Sequence, residues 1–140
     1  MGKRIALKDL VECDNVDLST FAHSVSFTSE HERVDVSGFN STGADEFLAG
    51  KTTQEVTVEF WMGRGSSEPH QVLYPLHRDR TIFDFRWKAD QTAGVSVTNP
   101  ELRGSVQLLT YGEGANRGDA ETASMTFTAA DETGLVFYET

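Results

Sequence analysis

Phe21-Ala22-His23-Ser24-Val25-Ser26-Phe27-Thr28 alternates with a period of two. Phe21, Val25 and Phe27 point one way; Ala22, Ser24, Ser26 and Thr28 point the other. This is the pattern of a half-buried β-strand with a polar outer face. Further on the parity changes, because Val34 and Val36 are even-numbered where Val25 and Phe27 are odd. One residue of slip reverses the faces of a strand, so a bulge, bend or turn is expected within Ser29–Arg33. The segment is then one bent strand or two strands.

The same period recurs downstream. Val56, Val58, Phe60 and Met62 oppose Glu55, Thr57 and Glu59. Phe83, Phe85 and Trp87 alternate with Asp84, Arg86 and Lys88, and Leu102, Val106 and Leu108 oppose Arg103, Ser105 and Gln107. After the glycine-rich connection Gly112–Gly118, Ala123, Met125 and Phe127 oppose Thr122, Ser124 and Thr126, and a short strand over Leu135–Tyr138 closes the series. Residues 38–53, rich in Gly, Ser, Thr and Asn, read as a long inter-strand loop with one helical turn near Phe47; loops of that length are usually functional or disordered. One helix is expected over 66–77, with a serine N-cap, Pro69 in its first turn and Val72, Leu73 and Leu76 as its buried stripe. Pro75 limits its length. About seven strands and one helix make a mainly β fold, an antiparallel sandwich or barrel with a flanking helix.

The chain has 140 residues and reads as a single domain over 1–140, long enough to bury a core without disulfides or metals. Twenty-two acidic against twelve basic residues give a formal charge of −10, which disfavours a dedicated nucleic-acid binder. A single cysteine, Cys13, excludes an internal disulfide. Behind Met1-Gly2-Lys3-Arg4-Ile5 no long apolar run follows, so neither a signal peptide nor a membrane segment is expected. Ala6 stands where a myristoylation signal wants Ser or Thr, and Asn40-Ser41-Thr42 is a formal glycosylation sequon in a chain expected to stay in a cytoplasm.

No set of residues makes a catalytic constellation. His77-Arg78-Asp79 has the types for a metal-ligand pair but the setting of a solvated turn, and His23 and His31 lack the spacing of further ligands. Glu55 and Glu59 lie two side-chain steps apart on one strand face, too far to share a proton at roughly 3.3 Å per residue. Gly63-Arg64-Gly65-Ser66-Ser67 lacks the Lys of a phosphate loop and reads as a strand-to-helix turn. Cys13 lacks the basic surroundings of a reactive thiol. Phe83, Phe85 and Trp87 read as core. No cofactor or metal is expected. The unusual feature is surface: several strands share one face of small hydroxyls, Glu and Gln.

Specific strings run in order along nearly the whole chain: Asn15-Val16-Asp17-Leu18-Ser19, Val34-Asp35-Val36-Ser37-Gly38-Phe39, Phe47-Leu48-Ala49-Gly50-Lys51, Leu73-Tyr74-Pro75-Leu76, Thr98-Asn99-Pro100-Glu101 and Gly118-Asp119. In these the chain resembles the major tail tube proteins of long, non-contractile-tailed bacteriophages. No appended C-terminal immunoglobulin-like domain is expected. The resemblance implies a self-assembling structural virion protein, built in the host cytoplasm, whose hexameric rings stack into a tube for DNA delivery. It implies four lumen strands per subunit, joined across neighbours, and implies as partners other copies, the tape-measure protein, the tail terminator and distal tail proteins. DNA would pass without specific binding.

The lumen-facing candidates are then Ser24, Ser26, Thr28, Glu55, Thr57, Glu59, Ser105, Gln107, Thr122, Ser124 and Thr126. Arg103 departs from that lining and is expected to pair with a carboxylate or sit at the rim. For inter-subunit and stacking contacts the candidates are Phe39, Phe47 and Leu48 in the loop, with Lys3, Arg4 and Lys8 at the N-terminus. The competing reading is a monomeric β-sandwich adhesion or carbohydrate-binding module with Trp61 and Tyr111 as its aromatic platform. A small hydrolase is disfavoured for want of a nucleophile–base pair.

Overall fold

The computed structural model describes residues 6–39 and 43–140. The candidates Lys3 and Arg4, and the sequon Asn40-Ser41-Thr42, lie outside the described residues. Among the described residues eight strands and one helix follow the order β1 (Leu10–Cys13), β2 (Val16–Asp17), β3 (Ala22–Asp35), β4 (Phe47–Trp61), α1 (Pro69–Arg78), β5 (Ile82–Lys88), β6 (Glu101–Gly114), β7 (Thr122–Ala129) and β8 (Val136–Tyr138). The strands form one antiparallel sheet in the order β2-β1-β5-β6-β7-β4-β3, with β8 paired to the start of β6. Apolar residues of β1, β4, β5, β6, β7 and α1 meet in one core. Phe127 on β7 lies edge-on to Phe83 at 5.7 Å and against Phe85 at 5.4 Å, so strands that are not adjacent in the sheet touch across its interior. The sheet is folded over on itself, and the backbone turn Leu18–Ala22 links its two ends.

The first hairpin is absent from the strand pattern expected above. Cys13 pairs with Val16 across Asp14 and Asn15, whose φ angles of 52° and 63° are both left-handed. That is the requirement of a two-residue type I′ turn, and Asp and Asn are the non-glycine residues that tolerate it best. Cys13 sits in the core, where burial first, then Asp14 and Glu12, push its thiol up, so the thiolate needed for reactivity is disfavoured.

The 38–53 loop needs correction. β4 begins at Phe47, with no helical turn there, and Phe47–Gln54 pairs with β3, so the true connection spans only 36–46. β7 pairs with β4 from Glu55 onward. Below that level β3 and β4 continue alone as a two-stranded ribbon, about 20 Å long at the rise of a strand. The ribbon is exposed on both faces, so its sequence carries no alternation between apolar and polar residues; backbone pairing with β3 makes it a strand. The parity change in β3 is real. The register shifts between His31 and Arg33, leaving one continuous strand. Where ribbon meets sheet, the Gln54 side chain takes the place of a strand: its Nε2 donates to Leu135 O at 2.9 Å, and Leu135 N donates to its Oε1 at 2.8 Å.

The helix runs over Pro69–Arg78, three residues later at its start than the 66–77 expected. Ser67 takes a left-handed φ of 61°, and Glu68 stands at the N-cap with Oε1 accepting from Gly65 N at 3.0 Å. Leu73 and Leu76 are buried against the inner side of β6, and the helix continues through Pro75.

A polar cluster fastens the helix start to the far end of the sheet. Arg64 pairs with Glu113 at 2.6 Å and with Glu121, while Glu113 accepts from Tyr111 Oη and meets His70 Nδ1 at 2.8 Å. Burial opposes ionisation of Glu113, but hydrogen bonds from Tyr111 and His70 and the charges of His70 and Arg64 outweigh it and lower its pKa. The bond from Arg64 lowers that of Glu121. Groups depressed on folding stabilise the fold above their unfolded pKa and lose that contribution as pH falls. The melting temperature should therefore drop as pH falls below about 4.5, the ordinary glutamate value. Glu121→Gln should flatten part of that acid limb in a thermal-melt series, and an unaltered limb would count against the cluster. Phe127→Ala removes the ring joining β5 to β7 and should cost about 3–5 kcal/mol in urea unfolding.

Candidate functional site

The polar residues on the outer side of β3, β4, β7 and β6 come into register. Ser24 pairs with Glu59, which pairs with Ser124, which pairs with Gly112. Ser26, Thr57, Thr126 and Thr110 make the second row, and Thr28, Glu55, Thr128 and Gln107 the third. Trp61, Thr122 and Gly114 extend the face at one end. Of the eleven candidates for this surface, the structure places ten in these rows; Thr57, Gln107 and Thr126 are half-buried and the rest are exposed. Ser105 lies off them. It sits opposite Asp84 on β5, with Oγ donating to Asp84 Oδ1 at 3.5 Å.

Thr110, Gly112, Gly114 and Thr128 belong to the face and were not among the candidates. The first three follow a register shift between Leu108 and Thr110 that turns even-numbered residues of β6 outward. The adjacent Leu108-Leu109 pair, which breaks the alternation, is the signal that could have shown it. Leu108 is buried and Leu109 exposed, as expected of a bulge.

Chemically the face is uniform. Its rows contain hydroxyls, Gln107, two glycines and two carboxylates, with Trp61 at one end and no lysine or arginine. Glu55 and Glu59 are separated by the whole Thr57 row, which leaves no shared proton between them. Arg103 is kept away from this lining: it pairs with the buried Glu101, which also holds Arg86 at 3.2 Å, and its guanidinium lies 4.5 Å over the Tyr138 ring.

The aromatic platform of the competing reading is not assembled. Trp61 is on the outer face, its ring 4.3 Å from that of His23. Tyr111 is on the inner side, between sheet and helix, bonded to Glu113 and His70. No surface presents both rings. His77 Nδ1 lies 3.2 Å from Leu108 O and Arg78 pairs with Asp79 at 3.1 Å, so His77 and Asp79 are already engaged separately. Among the described residues no group of three or more His, Cys, Asp or Glu could hold a metal, and no helix is long and apolar enough to cross a membrane.

The stacking candidates gather on the ribbon. Phe47 and Leu48 open β4, and Phe39 is fully exposed in the connection. Val34 pairs with Leu48 on one ribbon face; on the other, the Arg33 guanidinium lies 3.6 Å over the Phe47 ring. Lys8 is elsewhere, at the chain start, where its carbonyl accepts from Gln91 N.

At the level of sequence no protein family matches the chain, and neither does any curated protein. Solved structures do. A chain from the virion of a native gene transfer agent particle superposes with a TM-score of 0.76 at 13% identity, covering 97% of this chain and 99% of that one. The SPP1 tail tube protein gives 0.69 at 11% identity over 95% and 76% of the two chains. Hcp1 from Flavobacterium johnsoniae gives 0.59 at 11% identity over 94% and 100%. At such identities the likeness is one of fold, and this chain has the fold of the SPP1 tail tube protein and its structural neighbours.

Proposed function

We propose that the chain is the structural subunit of a phage-type tail tube, closing with five further copies into a ring and stacking ring on ring into a conduit for DNA. The observation that carries this reading is the four-stranded polar face ending in an open edge. Among the described residues β3 is the last strand of the sheet and pairs along one side only. At the other side of the same face, β5 pairs with β6 only as far as Gln107, so Leu108–Gly114 has no strand beyond it. An exposed strand edge is a template for another chain.

Four antiparallel strands are an even number. A second copy turned about an axis along the strands therefore brings its β6 antiparallel to β3, and repetition closes the lining without an edge. The face would then line the bore. Hydroxyls give phosphate no net charge to hold it, and the carboxylates of Glu55 and Glu59 repel it. The subunit carries out no reaction in this reading. Its partners are other copies of itself, a tape-measure protein inside the bore, and terminator and distal tail proteins at the ends, in a virion tail assembled in the host cytoplasm.

Negative-stain microscopy of concentrated protein should show six-fold rings or hollow tubes. Monomers at every concentration, together with a sugar-binding isotherm, would favour the adhesion reading instead. The lining has its own test. Tubes of the Glu55→Lys, Glu59→Lys double variant should retain short duplex DNA on sedimentation and release it as salt rises, while wild-type tubes retain none. Equal retention by both would remove these residues from the bore.

A further inference from the structure

The ribbon exposes Val34 and Leu48, and the connection at its tip Val36 and Phe39, within one acidic fringe: Glu30, Glu32, Asp35, Asp45 and Glu46 against Arg33 and Lys51. An isolated two-stranded ribbon is marginally stable in water, and apolar residues this crowded on an exposed element mark a contact surface. A matching surface lies on the same chain, at the opposite side of the polar face. Beyond the first residue of β5, a groove of about 430 Å³ between the helix C-terminus and β6 is lined by His77, Arg78, Arg80, Gln107, Leu108 and Leu109. Exposed Leu109 supplies its apolar part, exposed Ile82 lies beside it as the strand partner of Gln107, and Tyr74 flanks it under Arg78. Arg78 shares its charge with Asp79, but among the described residues Arg80 has no carboxylate partner.

We infer that the ribbon of one copy seats in this groove of a second copy, Val34 and Leu48 against Leu109 and the adjacent Ile82, with Glu32, on the same ribbon face as Val34, facing Arg80. The inference rests on the tube reading and names the contact that would carry it from copy to copy. The two surfaces are different patches on one chain, so the contact is head-to-tail. A head-to-tail contact propagates into a ring or filament rather than stopping at a dimer. Charge of opposite sign on the two patches favours this partner and sets its register.

Cross-linking tests it, because Cys13 is buried and leaves no competing surface thiol. Leu48→Cys protein and Leu109→Cys protein, mixed, assembled and mildly oxidised, should give covalent dimers; either variant assembled alone should give none. Assembled mixtures that remain monomeric after oxidation overturn the seat while leaving the tube reading in place. Failure of wild-type protein to assemble under any condition overturns both. Independently, Arg80→Glu should raise the protein concentration needed for assembly several-fold, and adding Glu32→Arg in the same chain should restore it. Wild-type assembly by Arg80→Glu would contradict the charge pairing.

Discussion

The rest of the structure depends on the pairing of β3 with β4. β3 is 14 residues long and β4 is 15, and they are bonded to each other over most of that length. Half of β4 is then covered by β7, which places Val56, Val58 and Phe60 in the core; the other half is left as the ribbon. Among the described residues β3 receives no second neighbour. A long edge strand is normally shortened, charged or covered. Here the outer side of its upper half carries Ser24, Ser26 and Thr28, which do nothing to block another strand. An open edge of that length, beside a uniform polar face, is what gives the proposed closed assembly its physical basis.

The charge of −10 takes on a local meaning once it is mapped. Only Glu55 and Glu59 contribute to the proposed bore, and a larger share lies on the ribbon and in ion pairs such as Arg64 with Glu113 and Glu121. Two basic residues on the strands beside the polar face are tied up: Arg103 and Arg86 share the buried Glu101. A surface that is to let phosphate slide needs its cations withdrawn more than it needs many anions. The placement of Arg103 meets that need.

Strands with one buried and one wet face were legible in the sequence because alternation records burial. That is why ten of the eleven residues assigned to the polar face share it. What lacked a burial contrast was not legible. Phe47–Thr53 is solvated on both sides and read as loop, and β1 and β2 are too short to show a period, although Asp14-Asn15 carried the turn signal. Bulges were half legible. The shift near His31 appeared as a change of parity among valines, whereas the one after Leu108 led into Thr110, Gly112 and Gly114, where glycines hide which way the strand faces. Tyr111 shows the cost of that shift: read without it, the residue points outward beside Trp61, and in the structure it is held inward by His70 and Glu113.

The claim that β3 is closed by a neighbouring copy is tested most directly by amide hydrogen exchange measured on dilute monomer and on assembled protein. With the edge closed, amides of Ser24–Thr28 and Leu109–Gly114 should exchange markedly more slowly in the assembly, while those of the β4–β7 pair change little. Unchanged exchange along β3 in protein that has demonstrably assembled would show that the edge stays open and that the copies associate through another surface.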